Sequence, residues 1–136
     1  IIPFEMEELE GLKLLISEST GQNIFMFSHR KTVIEFRGED RCELYLRSER
    51  VPIPTLVIAR IEMVPRHQGI GTQVLEWLKR YAVTKGFKRI VVENANTDDS
   101  VQFAKKRGFV KCYNPIDQLL GTTDEEMFCN YELMLV

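Results

Sequence analysis

The residues Pro65-Arg66-His67-Gln68-Gly69-Ile70-Gly71-Thr72 carry the densest chemical signal in the chain. Gly69 and Gly71 lack a Cβ, so the main chain there can take positive φ and a ligand can come close to it. Val74, Leu75, Leu78, Tyr81 and Ala82 follow at helical spacing, so the turn opens a helix. The first amides of a helix have no intrahelical acceptor and lie at the positive end of its dipole. A phosphate or pyrophosphate suits that place, and Arg66 and His67 at its mouth add positive charge. On spacing alone, two glycines before a helix can also be only a turn and a permissive cap. Known phosphate loops narrow the choice. A Walker loop needs Lys-Ser/Thr after its last glycine, and here Thr72-Gln73 follows Gly71. A dinucleotide fingerprint needs a third glycine where Val74 stands. Arg66-x-x-Gly69-x-Gly71 is what remains.

The elements that must hold this turn can be read from periodicity. Phe4 to Ser19 repeats apolar residues at three and four (Leu9, Leu12, Leu15, Ile16), with acidic residues at its start and Thr20-Gly21 at its end. Three short β runs follow, Asn23 to Ser28, Thr32 to Arg37 and Cys42 to Arg47. Polar turns at His29-Arg30-Lys31 and Gly38-Glu39-Asp40 separate them into an antiparallel meander. Val33, Glu35 and Arg37 alternate with Ile34 and Phe36, which gives one wetter face. Ser48 to Pro54, with two prolines that lack N–H donors, reads as a loop. Thr55 to Ile61 is a buried central strand apart from Arg60. The helix after the glycine turn ends at Lys85-Gly86, and Arg89 to Val92 is a second buried strand. Strand, helix and strand with short connections make a right-handed crossover and a parallel pair. Asp98 to Arg107 is a helix whose last turn, Lys105-Lys106-Arg107, suits the dipole. Phe109 to Tyr113 and Phe128 to Leu135 are the last strands, joined by a long loop from Asn114 to Glu126.

Together these features resemble the GNAT superfamily of N-acetyltransferases. The glycine turn is similar to that family's coenzyme A loop, Gln/Arg-x-x-Gly-x-Gly/Ala. The likeness runs from Thr55 to Phe109 and ends in Gly108-Phe109, similar to the family's exit into its sixth strand. The resemblance implies a single domain over residues 1–136. Its fold would be α/β (α+β): a mixed, mostly antiparallel central sheet with a parallel pair at the fourth and fifth strands and helices on both faces. It implies acetyl transfer from acetyl-CoA to a primary amine. The coenzyme would then lie against Ala59, Arg60 and Ile61, over Arg66, His67, Gln68, Gly69, Ile70, Gly71 and Thr72, and near Thr97 and Ser100. An ungapped alignment gives Ala59-Arg60-Ile61 as the stretch whose backbone amide meets the thioester carbonyl. A gapped one gives Glu62-Met63-Val64.

That chemistry needs a donor for the developing oxyanion, a base for the amine and an acid for the leaving thiolate. The base is where this chain departs from the family, whose fourth strand often carries a glutamate. Glu62 and Glu93 are the carboxylates within range, and either can instead be half of an ion pair with Arg60 or Lys88. The acid departs too. Where many members carry a tyrosine, four residues before Gly108, this chain has Ala104, and Phe103 beside it has no hydroxyl. Tyr113 is the tyrosine most available elsewhere, and it can instead pack at a strand end. A second reading is therefore a non-catalytic acyl-CoA-binding module. A third is an enzyme that acetylates a protein terminus or an aminoacyl-tRNA.

Composition sets outer bounds. The chain has 136 residues, 44% hydrophobic and 28% charged, one domain's worth of ordinary globular sequence. A net charge of −2 gives no bulk attraction to nucleic acid or to an anionic membrane. Apolar runs fall short of a membrane span, and Ile1 to Glu5 do not read as a signal peptide. Three cysteines without C-x-x-C spacing and two histidines argue against a structural zinc site. A reducing, cytoplasmic compartment fits, with a small-molecule or peptide amine as acceptor. A homodimer is compatible with the chain.

Overall fold

The structure is a computed structural model that describes residues 1–50, 52–66, 68–93, 98–112 and 130–135. A 3₁₀ turn at Met6–Leu9 leads into α1 (Glu10–Thr20), which ends on Gly21 at φ 71. Four strands follow: β1 (Phe25–Arg30), β2 (Val33–Arg37), β3 (Glu43–Glu49) and β4 (Thr55–Glu62). Then come α2 (Ile70–Lys85), β5 (Arg89–Val92), α3 (Asp98–Lys106), β6 (Val110–Cys112) and β7 (Asn130–Met134). The strands form one sheet in the order β1-β2-β3-β4-β5-β7-β6. Only β4 and β5 run parallel among these neighbours, as the crossover reading requires. The loop from Asn114 to Glu126, Tyr113 and Cys129 lie outside the described residues.

The helix read from Phe4 becomes α-helical only at Glu10, behind the 3₁₀ turn, and β1 begins at Phe25 rather than Asn23. Two strand ends also differ from the sequence reading, each for a local reason. His29 and Arg30 belong to β1 rather than to a turn, because the hairpin closes tightly at Lys31-Thr32. The register slips there: Ser28 faces Ile34 and Arg30 faces Val33, which leaves His29 as the unpaired residue of a bulge. Ser48 and Glu49 belong to β3 rather than to the loop, opposite Leu56 and Thr55. The prolines stop the ladder only from Pro52 onward, while the Ser48 N–H donates to the Thr32 carbonyl at 2.8 Å.

A second bulge lies at the centre of the molecule. Tyr45 faces Arg60 and Leu46 faces Ile58, so Ala59 is the extra residue of β4. The β4–β5 ladder runs from Thr55–Arg89 to Ile58–Val92, and the Glu93 N–H donates to the Ile58 carbonyl at 3.0 Å. A bulge bends and twists its strand. β4 runs on to Glu62 past the last described residue of β5, Val92, so Ala59 to Glu62 have no β5 partner among the described residues.

One core accounts for the packing. Ile34, Phe36, Leu44, Leu46, Leu56, Ile58, Ile90 and Val92 are buried on one face of the sheet. Leu12 and Ile16 of α1, Val74, Leu75 and Leu78 of α2, and Ala104 of α3 complete the same cluster. Each fully buried Leu or Ile contributes about 1.5–3 kcal/mol relative to exposure. The mixed sheet, its parallel pair and its helices match the expectation, and the helices whose residues are described pack into this one cluster. Alternation along the strands gives the opposite face Glu35, Arg47, Arg60, Arg89 and Glu132, together with buried Val57 and Val91.

Candidate active site

Where β4 runs past the end of β5, a cleft of about 460 Å³ opens on the helix side. Its floor is apolar, built from Ile61, Met63, Ile70, Val92 and Phe103. Its rim is cationic and bears Arg66, Lys106 and Arg107, with Gly69, Gly71 and Thr72 at the start of α2. Gly69 is the α2 N-cap at φ 77, and no side chain caps the helix, so its first amides are open at the cleft. An apolar slot that ends on open amides and cations fits a long, partly apolar carrier with phosphates at one end.

Arg107 is the strongest sign of what the rim awaits. One of its Nη groups donates to the Phe103 carbonyl at 2.9 Å and the other bonds the Thr72 hydroxyl. Its guanidinium lies 4.2 Å from the Phe103 ring centroid, while its buried Nε has no partner. Burial lowers its pKa, against the opposing field of Glu76, and no described carboxylate forms an ion pair with it. A partly desolvated cation short of a hydrogen bond stabilises an incoming anion. Phe103 in turn fills the space of the missing Gly71 side chain: a Cβ there would meet its Cε2 at 2.9 Å. Gly69 thus serves backbone conformation, and Gly71 serves close packing of α3 on α2.

A second, smaller groove of about 380 Å³ lies on the face opposite the described helices, against the same segment of β4. His29, Glu35, Arg37, Glu43, Tyr45, Ala59 and Arg60 line it. Glu35 is only 5% exposed. Its Oε1 is 2.9 Å from His29 Nε2, and its Oε2 accepts from Arg37 Nη2 at 2.7 Å. Burial alone would raise its pKa, but the hydrogen bonds from His29 and Arg37 outweigh burial and lower it. The Tyr45 ring stacks on His29 with centroids 6.0 Å apart. Arg60 Nη1 donates to Glu43 at 3.3 Å.

A model of the acetyltransferase (GNAT) family matches residues 42–109, half of the sequence. The chain belongs to the acetyltransferase (GNAT) family. As a member of that family it is an acyltransferase. None of the curated proteins matches it in sequence. Its structure is similar to that of a GNAT family acetyltransferase from Elizabethkingia anophelis with acetyl-CoA bound. The two are 16% identical with a TM-score of 0.55, over 76% of this chain and 77% of that one. It is also similar to N-acetylglutamate synthase from Neisseria gonorrhoeae complexed with coenzyme A and N-acetyl-glutamate. There the identity is 14% and the TM-score 0.52, over 100% of this chain and 34% of the larger one. At these identities the likeness is one of fold.

Within this GNAT domain the sequence-derived positions divide between the two clefts. Ile61, Glu62, Arg66, Gly69, Ile70, Gly71 and Thr72 meet around the larger one. Ala59 and Arg60 line the groove on the other face instead. Gln68 is exposed and outside both linings. His67 and Thr97 lie outside the described residues. Ser100 is in the first turn of α3, and its side chain is also outside them. Glu62 pairs with Arg66 at 3.5 Å rather than with Arg60. Glu93 is bound through both oxygens by Arg47, at 2.6 and 3.1 Å, and Arg47 also holds Glu49. The hydrogen bond to Glu93, opposed by burial, raises the Arg47 pKa. Both Glu93 oxygens are therefore engaged by Arg47. Ala104 is fully buried in the core, so α3 turns Gln102 and Phe103 to the cleft and not the family's tyrosine position. His29, Glu35, Arg37, Tyr45, Lys106 and Arg107 were not singled out from sequence as site residues. The alternation at Glu35 and the basic last turn of α3 were their only traces.

Proposed function

We propose that this chain transfers an acetyl group from acetyl-CoA to a primary amine. The observation that supports this reading best is the coincidence of three features. They are the run of β4 past the end of β5 at Ala59, the apolar cleft beside it, and the open amides and cations that close it at α2. Acetyl-CoA would supply a thioester whose carbonyl carbon accepts the amine. The residues fit that ligand. Gly69 to Thr72, Arg66, Lys106 and Arg107 would hold its phosphates, and Ile61, Met63 and Phe103 its apolar arm. Free main-chain amides past Ile58 are the donors for the oxyanion, an interaction worth about 2.7–4 kcal/mol when preorganised. Solved relatives of this fold that hold acetyl-CoA, or coenzyme A with an N-acetylated amine, support the same reading.

The test is calorimetric titration of the chain with coenzyme A, followed by thiol release from acetyl-CoA over a panel of amines. Micromolar binding and amine-dependent release are expected. In Glu93→Gln the release should persist, because Glu93 serves its ion pair. Absence of any coenzyme A binding at millimolar concentration would overturn the proposal. Binding without release for every amine would favour the non-catalytic module.

A further inference from the structure

The groove on the face opposite the described helices is not explained by coenzyme binding, and it carries chemistry of its own. It shares one wall with the coenzyme cleft, a segment a single strand thick: Ala59 and Arg60 face the groove, Ile61 and Glu62 the cleft. That segment is where β4 runs on past the last described residue of β5, so a molecule seated in the groove meets it from the side opposite the larger cleft. The bulge at His29 turns another side chain toward the same place. Glu35 and Glu43 set two negative charges in the groove, and Arg37 and Arg60 set two positive ones. The positive pair reaches solvent, with side chains 60% and 67% exposed. The balance is neutral and the signs alternate.

We propose that this groove is the acceptor pocket, that it takes a small zwitterion carrying both an amine and a carboxylate, and that His29 is the general base. The proposal rests on the coenzyme reading above and adds the substrate class and the base to it. A polyamine would need a surplus of carboxylates, and a phosphorylated acceptor a surplus of cations. An amino acid needs one of each, and about 380 Å³ is the lower end of small-ligand pockets. Arg37 and Arg60 receive the carboxylate. Glu35 is almost buried and deprotonated, and it can only accept a hydrogen. His29 Nε2 therefore carries the hydrogen of the 2.9 Å contact, which leaves Nδ1 as the ring nitrogen for the substrate. Tyr45 fixes the ring plane by stacking. Glu35 is a positioning residue.

The step balances. His29 Nδ1 takes one proton from the ammonium group and passes it to solvent. The nitrogen lone pair forms the N–C bond at the thioester carbonyl, and the C–S bond breaks with its electron pair on sulfur. The second nitrogen proton neutralises that thiolate, so the products are an N-acetyl amino acid and free thiol.

The experiment uses the full chain with three probes: a panel of L-amino acids, their methyl esters, and spermidine. Thiol release is expected with one or more amino acids and not with the esters or spermidine. His29→Gln should lower kcat about 100-fold, with the coenzyme A dissociation constant unchanged. Arg60→Met should raise the acceptor KM about tenfold with kcat held. Titration of the chain without coenzyme, followed by the His29 ring resonances, should show a shift with the accepted amino acid and none with spermidine. Full activity in His29→Gln, equal use of esters or spermidine, or silence of the His29 resonances would each overturn the proposal. Those results leave the coenzyme cleft standing. Failure of coenzyme A to bind would instead sink the coenzyme reading, while the resonance titration would still judge the groove by itself.

Discussion

At Gly69 the main chain turns left-handed at φ 77 with nothing within 4 Å of a notional Cβ, whereas at Gly71 the dihedral is ordinary and Phe103 occupies the space. The two glycines should therefore fail differently. Gly69→Ala should cost about 1–2 kcal/mol of stability, the usual penalty for a side chain in that region, while coenzyme A affinity falls little. Gly71→Ala should drive the Phe103 ring into the cleft and weaken coenzyme A about tenfold, a loss near 1.4 kcal/mol, with little change in unfolding. Urea titration and calorimetry on both variants read the contrast, and identical profiles would refute it. The glycine pair was legible in the chain because main-chain demands leave few residue types to choose from. Arg107 was not. A basic residue in the last turn of α3 looks like a dipole match, and only packing shows that its Nε is buried without a partner.

Periodicity located β4, α2, β5 and α3 within a residue or two, because long apolar patterns fix both type and extent. It misplaced the ends of β1 and β3, where bulges and cross-strand bonds extend a ladder through polar residues. It also could not give the rotation of α3 about its axis. The family's tyrosine position falls on Ala104, which faces the core with no exposed surface. Ala104→Tyr should therefore overpack that core and cost about 1–3 kcal/mol, rather than restore a missing acid. A thermal midpoint lowered by several degrees with no gain in turnover is the expected outcome. A stable variant with faster turnover would show that α3 can rotate.

Across the molecule, one face of the sheet is sealed by three helices and the other is held by ion pairs that cross strands. Arg47 ties β3 to Glu93 beyond β5, and Arg89 ties β5 to Glu132 of β7. Glu35 belongs to the same system, and its effect depends on pH in a definite direction. Its folded pKa lies below its ordinary 4.5, so its stabilisation is complete above pH 4.5 and is lost as pH falls through the folded value. Glu35→Gln removes that contribution. Urea midpoints of the two proteins should differ most near neutrality and converge in acid; a constant difference would mean that the carboxylate's charge is not what stabilises the fold. Alternation announced a wetter face, but a single sequence cannot say which polar residues on it become buried partners. The bulge at Ala59 has a consequence of another kind, because it is a matter of counting. β3 offers seven residues, Glu43 to Glu49, and β4 answers with eight, Thr55 to Glu62. A chain one residue shorter at that spot would keep every neighbouring side chain on its present side and give β3 and β4 equal lengths. The wall shared by the two chambers owes its extra residue to that count, and deletion tests it more directly than any substitution.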